Sequence, residues 1–484
     1  MTLTIGLDLG TSGIKAVLFE NASRVIGQAS RPIATSIPYV GWSEQNPDTW
    51  VTAAFACLDD LATAHPGPMA AVAGIGLSGQ MLAALLLDAA SRPLRPAILW
   101  NDQRALAECA ELIALVPDIG QRSNGTPDPG ITAPKLLWLA RHEPQVMRDA
   151  RMLMLTKDYV RLALTGEVAS EPTDAGGTQL LDVATGRWDP QLCQAAGWNP
   201  AHLPPLRQPW DAAGTLRPQL AARWGLKPGL FVAAGAGDNM GSTLGAGGAR
   251  PGDAVLTIGT SAVACLVDHA FHPGPESAIL TSAHAVPGTY LSMGVVMSAT
   301  AALDWTARLG NLTTPDLVQA ATHFATSERI DTAPVFLPCL NGIRTPSNRP
   351  EAMGRIEGLH PGVTHASLGY AVLEGVAFQI ADCIAAQRGA GVRAERFLGV
   401  GGGTRSDLWV RLIATALNAA IDLPEGADIA GPAGAARLAA VAAGAPLASL
   451  SEPRKVLKTV APDAALAPLL ADRKARFDAL MTRI

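Results

Sequence analysis

Asp8 stands two residues before the turn Gly10-Thr11-Ser12-Gly13, on the otherwise apolar stretch Leu3 to Leu9. Two glycines and two hydroxyl residues let backbone N–H groups converge on an anion with no side-chain bulk in the way. A carboxylate on an apolar strand is costly unless it is paired or reaches a cation, so Asp8 is poised for a hydrated Mg2+. Lys15, on the following strand, adds a positive charge nearby. Gly259, Thr260 and Ser261 repeat this arrangement in the second half of the chain, and two such turns facing one another would clamp a polyphosphate. A third cluster, Gly401, Gly402, Gly403 and Thr404, follows an apolar strand and precedes a helical pattern near Asp407, an order that suits nucleotide contact. It lacks the Walker A lysine and the full dinucleotide spacing.

Asp238 and Asn239 follow the strand Leu230 to Ala234 and the glycines at 235 and 237, which places an acid at a strand's C-terminal end in a flexible Gly-rich loop. Active sites of open α/β sheets gather there, and phosphoryl transfer to an alcohol needs a carboxylate beside the attacking hydroxyl. Polar residues also interrupt apolar runs at Ser78-Gly79-Gln80-Met81 and at Trp100-Asn101-Asp102-Gln103-Arg104. An aromatic platform with amide, carboxylate and guanidinium groups suits a polyhydroxylated ligand. Trp42, Ser43 and Glu44 form a cluster of the same kind, for which core packing is an equally good reading.

The elements that carry these residues alternate between strands and helices, the pattern of an α/β architecture. Residues 3 to 31 read as a β-meander, followed by helical patterns at 47 to 64, 102 to 116 and 134 to 142. Residues 253 to 267 restart as 5 to 19 began, with a strand, a G-T-S turn and a β-branched strand. Such a repeat predicts two similar domains, 1–246 and 247–484, with a cleft between them. An Ala-rich helix is expected from Ala433 to Ala443, and a polar amphipathic helical end over the last 35 or so residues.

At 484 residues, 48% hydrophobic and 16% charged, the chain has ample apolar surface for two cores. A net charge of −5 with no basic stripe argues against a nucleic-acid partner. The six cysteines are scattered without metal-ligand spacing and read as reduced, mostly buried thiols. Ala70 to Leu87 is long and uncharged, but Ser78 to Gln80 interrupt it, so two buried strands around a polar turn fit better than a membrane span. Thr2 to Leu9 reads as a strand and not as a leader, which makes cytoplasmic residence the expectation.

Taken in order, the landmarks resemble the FGGY family of carbohydrate kinases, in the sugar kinase, Hsp70 and actin superfamily, and most closely its xylulokinase branch. The likeness runs through GLDLGTSGIKAVL, WSEQNPDTW (42 to 50), SGQM (78 to 81), RPAILWNDQR (95 to 104), ITAPKLLW (131 to 138), TKDYVRLALTGE (156 to 167), GDN (237 to 239), TIGTS (257 to 261), FLPCLNGIRTP (336 to 346), VLEGVAF (372 to 378) and GVGGGTRSDLW. The resemblance implies two actin-like (ribonuclease H-like) domains and ATP-dependent phosphorylation of a small sugar, D-xylulose to D-xylulose 5-phosphate. Asp238 would be the catalytic base and Asp8 the acid linked to Mg2+ through water. Thr11, Ser12, Lys15, Gly259, Thr260, Ser261, Gly401 to Gly403 and Thr404 would surround ATP. Gln80, Met81, Leu82, Trp100, Asp102 and Asn239 would meet the sugar. Homodimerisation is common in that family, though no segment here marks an interface.

One position departs from the pattern. Where xylulokinases carry GQMH, this chain has Leu82, and leucine cannot hydrogen-bond a hydroxyl. Another pentulose, a deoxypentulose or a polyol therefore stands as an alternative acceptor. From a different class, an actin-like or chaperone-like ATPase with no sugar acceptor shares the phosphate turns.

Overall fold

The computed structural model describes residues 2–327 and 330–483. In the first half, β1 (Leu3–Gly10), β2 (Gly13–Glu20), β3 (Arg24–Pro32), β4 (Val72–Gly79), β5 (Ala212–Thr215) and β6 (Phe231–Ala233) form one sheet in the order β5-β6-β4-β1-β2-β3. A short β7 (Ala236–Gly237) pairs with the end of β4. The alternation of a strand explains where Asp8 points. Leu3, Ile5, Leu7 and Leu9 enter the core on one face, which leaves Thr4, Gly6 and Asp8 on the other.

The second half repeats the plan with β8 (Asp253–Ile258), β9 (Ala262–Asp268), β10 (Leu280–Ala283), β11 (Tyr290–Val296), β12 (Arg396–Val400), β13 (Ile421–Pro424) and β14 (Val456–Val460). Their order is β10-β11-β9-β8-β12-β13-β14. Apart from β10, the sequence of neighbours and their parallel or antiparallel senses match the first sheet strand for strand. Residues 5 to 19 and 253 to 267 are thus equivalent hairpins.

Helices cover the sheets. In the first half these include α1 (Pro47–Ala64), α2 (Thr132–His142), α3 (Thr156–Thr165) and α4 (Asp238–Ala246). The second half adds α5 (His365–Gly389), α6 (Asp407–Leu417), α7 (Ala430–Ala442) and α8 (Ala467–Met481). The Asn46 side chain caps α1 by accepting from the Asp48 N–H, and Pro47 opens the helix. Its Trp50, Ala54, Cys57 and Leu58 lie in the first core, where a large apolar side chain contributes about 1.5–3 kcal/mol on burial. α5 is the described helix long and apolar enough to cross a membrane, but 78% of its apolar window is buried inside the protein. All six cysteines are free and buried.

Two helices cross between the halves. α7 belongs by sequence to the second half yet packs on β1 and β4 of the first sheet and against α4. Met240 and Leu244 of α4 join Val255, Cys265 and Leu398 of the second sheet in one cluster. Backbone meets backbone at these contacts. A Cβ at Gly6 would come within 1.8 Å of the Pro432 carbonyl oxygen, and one at Gly434 within 1.9 Å of the Gly241 oxygen.

Two expectations are corrected and a third is refined. Asp238 is the first residue of α4 and not part of a loop, because the small residues that read as flexible are those the tight α4–α7 contact requires. The helix expected at 102 to 116 begins at Leu106, after a turn at Trp100 to Arg104. The expected amphipathic helical end is α8, which buries Leu470, Phe477 and Leu480 on one face, but the edge strand β14 precedes it and its Arg473 is buried against Glu374.

Candidate active site

Three parallel strands finish side by side. Asp8 of β1 lies opposite Ser78 of β4, and Ala236 and Gly237 of β7 lie opposite Ser78 and Gly79. Asp8, Ser78 and the start of α4 at Asp238 are thereby set on one rim. The Ser78 hydroxyl donates to Asp8 Oδ1 at 2.6 Å. Burial pushes the Asp8 carboxyl up, opposed by this hydrogen bond and by Lys15 across the hairpin. Gly431, in the first turn of α7, faces the carboxylate so closely that a Cβ would lie 2.7 Å away.

Asp238 is half-buried. Its Oδ1 accepts from the Asn239 backbone N–H at 2.8 Å and from Asn239 Nδ2 at 3.1 Å. Burial, and then the negative charge of Asp8, raise its pKa to about 7. A carboxylate tuned near neutrality is a stronger proton acceptor than an ordinary aspartate and still ionises at working pH.

The phosphate-turn candidates divide into two groups. On the second sheet, Gly401 adopts φ +91°, and a Cβ there would lie 2.6 Å from the Ile258 carbonyl oxygen. The Gly401–Gly403 segment therefore abuts the Gly259–Ser261 turn. Backbone N–H groups of Ala299 and Thr300 donate to the carbonyls of Thr260 and Gly259, which braces the turn. Gly402 has open space around it. The Thr404 hydroxyl donates to the Gly401 carbonyl, so it closes its own turn. On the first sheet, Ser12 is exposed and Lys15 Nζ donates to the Asp428 carbonyl at 3.2 Å, tying β2 to the second half.

The Thr11 hydroxyl, expected beside ATP, is engaged within the chain. It accepts from Trp100 Nε1 at 2.9 Å and donates to Gln80 Oε1 at 3.0 Å, while Gln80 Nε2 donates to Gln45 Oε1. The chain joins the first turn to the aromatic cluster and uses the polar groups of both Thr11 and Gln80. Asp102 is fully buried, accepting from the Ser43 N–H and, through both oxygens, from Arg104. Arg104 also pairs with Glu44 at 2.7 Å and stacks 3.6 Å over Trp42. The two polar-aromatic clusters of the sequence are thus one clamp, in which Asp102 serves Arg104 and is not turned to a ligand.

Met81 packs beside Gly237, next to Asp238, and Leu82 touches the Gly177 segment. Both are 7% exposed, which makes this corner apolar. Leu82 has φ +69°, a left-handed conformation that costs a non-glycine residue about 1–2 kcal/mol.

A set of charges beneath the rim was matched in the sequence only as part of a motif. Lys157, under Gly79 and Gly235, pairs with Asp158 at 2.8 Å and with Glu171 at 3.1 Å, and Asp174 is 3.4 Å away. Arg161 completes the fully buried group, bonding Asp158 and the Ala234 carbonyl. Burial drives the Asp174 carboxyl well up. Three charges within Lys157 to Arg161 on an otherwise apolar helix were the available signal.

The model of the FGGY family of carbohydrate kinases matches both halves, its N-terminal domain over residues 3–245 and its C-terminal domain over 254–443. The chain belongs to the FGGY family of carbohydrate kinases. This FGGY kinase is an ATP-dependent enzyme of two actin-like domains, and its acceptor is a small sugar. It is 40% identical to xylulose kinase of Escherichia coli (strain K12) over 91% of this chain and 90% of that one. To xylulose kinase of Bacillus subtilis (strain 168) it is 31% identical over 92% and 89%. Among solved structures, a xyloylose kinase from Brucella ovis superposes with a TM-score of 0.94 at 42% identity, covering 99% of this chain and 98% of the other. Xylulose kinase from Rhodospirillum rubrum gives 0.89 at 30% identity, covering 99% and 98%.

Proposed function

We propose that the enzyme converts D-xylulose to D-xylulose 5-phosphate, with residues 1–246 binding the sugar and residues 247–484 binding ATP. The observation that carries this reading is the 40% identity to a xylulose kinase across both halves of the chain. Asp238 accepts the proton of the attacking hydroxyl as the γ-phosphoryl group passes in line from ATP to the sugar oxygen. The elevated pKa of about 7 suits that task, and Oδ1, held by Asn239, fixes the carboxylate plane. Backbone N–H groups of Thr260 and Ser261 and of Gly402 and Gly403 take up the charge of the phosphates, those of Gly259 and Gly401 being bonded to the Ser261 and Ala427 carbonyls. Met81, Leu82, Trp100 and Asn239 border the sugar. In this reading Thr11, Gln80 and Asp102 hold that border in place.

Asp8 fits a Mg2+ ion held through water, because it is a single half-buried carboxylate with its pKa raised by burial and no bonded cation. Mg2+ keeps most of its waters and needs few protein ligands; when bound it would neutralise charge on the terminal phosphates.

Leu82 supports a second reading, in which the preferred acceptor lacks a hydroxyl at this corner, as a deoxypentulose does. A coupled ADP-release assay across pentuloses, deoxypentuloses and pentitols, with the parent and Leu82→His, separates the two. D-xylulose should give the highest kcat/KM in the parent, and Leu82→His should improve it. A deoxypentulose that outperforms xylulose in the parent would overturn the first reading in favour of the second. ADP release indifferent to every sugar would overturn both.

A further inference from the structure

Lys135, on α2, is a fully buried lysine with no carboxylate bonded to it. Its three donors go to backbone carbonyls, those of Gly130 at 2.6 Å, Leu82 at 2.9 Å and Ile98 at 3.4 Å. Burial pulls its pKa down to about 7, and in its protonated form the ammonium acts as a three-way bracket, each arm ending on a segment that borders the proposed sugar site. Leu82 directly follows Met81. Ile98 lies two residues before Trp100. Gly130 lies so near Trp100 that a Cβ on it would come within 1.9 Å of the Trp100 carbonyl oxygen.

The Leu82 arm has the clearest consequence. Leu82 is in the left-handed region, and its carbonyl also accepts from the Thr132 hydroxyl at 3.0 Å. Two buried donors on one oxygen fix the direction of a peptide group that a leucine would not choose unaided. That peptide turn aims the Met81 side chain at Gly237 and the Leu82 side chain at Gly177.

We propose that Lys135 is a positioning residue for sugar recognition, its ammonium holding the Leu82 peptide in the left-handed turn that shapes the acceptor pocket. The inference rests on the placement of the sugar beside Met81 and Leu82 given above.

Lys135→Met keeps the length of the side chain and removes the three donors. The sugar KM should rise about tenfold or more, while the KM for ATP stays within about twofold. Hydrogen exchange at the amides of residues 80–84, measured without sugar, should quicken about tenfold. A folded variant with parental sugar KM and parental exchange would overturn the proposal, as would equal damage to sugar and ATP binding. Should Lys135→Met fail to fold, Thr132→Val removes only the second donor to Leu82 and should raise the sugar KM about threefold. No change in that variant, in either KM or exchange, would equally overturn it. A parent that phosphorylates no sugar refutes the functional reading, and the exchange measurement then still decides on Lys135.

Discussion

Replacing Asp238 with asparagine should make the protein more stable at alkaline pH while nearly abolishing turnover. The carboxyl group has its pKa raised from 3.8 to about 7 by burial and by Asp8. Sign and window follow from the direction of that shift. A folded pKa above the unfolded one means that ionisation is disfavoured in the folded state. Stability is therefore unaffected below about 4, falls as pH rises from about 4 to about 7, and carries the full penalty above. Three units at 1.36 kcal/mol each give about 4 kcal/mol as an upper bound. Because Asp238 is only half-buried, solvent screening reduces this to ~1–2 kcal/mol. Asparagine carries no charge, and its side-chain oxygen still accepts from the Asn239 N–H. Denaturant unfolding of the parent and Asp238→Asn, without ligands, should show the variant ahead by ~1–2 kcal/mol at pH 8 and little different at pH 4.5. In the ADP-release assay its kcat should fall by about 10²-fold or more, with the sugar and ATP KM values within a few-fold. An advantage over the parent no larger at pH 8 than at pH 4.5 would refute the electrostatic reasoning. Parental turnover would remove Asp238 from the chemistry altogether.

Asp8→Asn takes away the charge that helps to raise the Asp238 pKa, so the acid limb of its residual kcat/KM should move to lower pH than the parent's limb near 7; an unmoved limb would dissociate the two carboxylates. Gly434→Ala forces a Cβ to within 1.9 Å of the Gly241 oxygen and should cost about 1–3 kcal/mol, seen as a lower melting temperature. An unchanged melting temperature would contradict the backbone contact between α4 and α7.

The paired hairpins were legible because β-branched residues flank a G-T-S turn in both halves, and Asp8 stood out as a carboxylate among leucines. The α4–α7 contact was not. A helix buried between a sheet and another helix has no polar stripe, and its glycines mimic a loop when only local propensity is read. Asp102 shows a different limit. A polar cluster on an apolar background announces that its groups are satisfied by something, but not whether the partner is a ligand or an arginine two residues away. Thr11 and Gln80 illustrate the same ambiguity. Leu82's left-handed backbone was invisible, since leucine is among the residues least expected there.

The glycine-lined seam between α4 and α7 also bears on how the enzyme works as a machine. Side chains that interlock like gear teeth resist sliding, whereas two backbones in smooth contact behave as a bearing, along which shear meets few steps. The bearing carries Asp238 at the head of one helix and faces Asp8 with Gly431 at the head of the other. Asp8 and Asp238 are both anchored on the first sheet, so a slip along the seam would carry Gly431 past Asp8 while the two carboxylates keep their spacing. In the proposed roles, the two acids would stay preset against each other and the joint would act on the nucleotide-binding half alone.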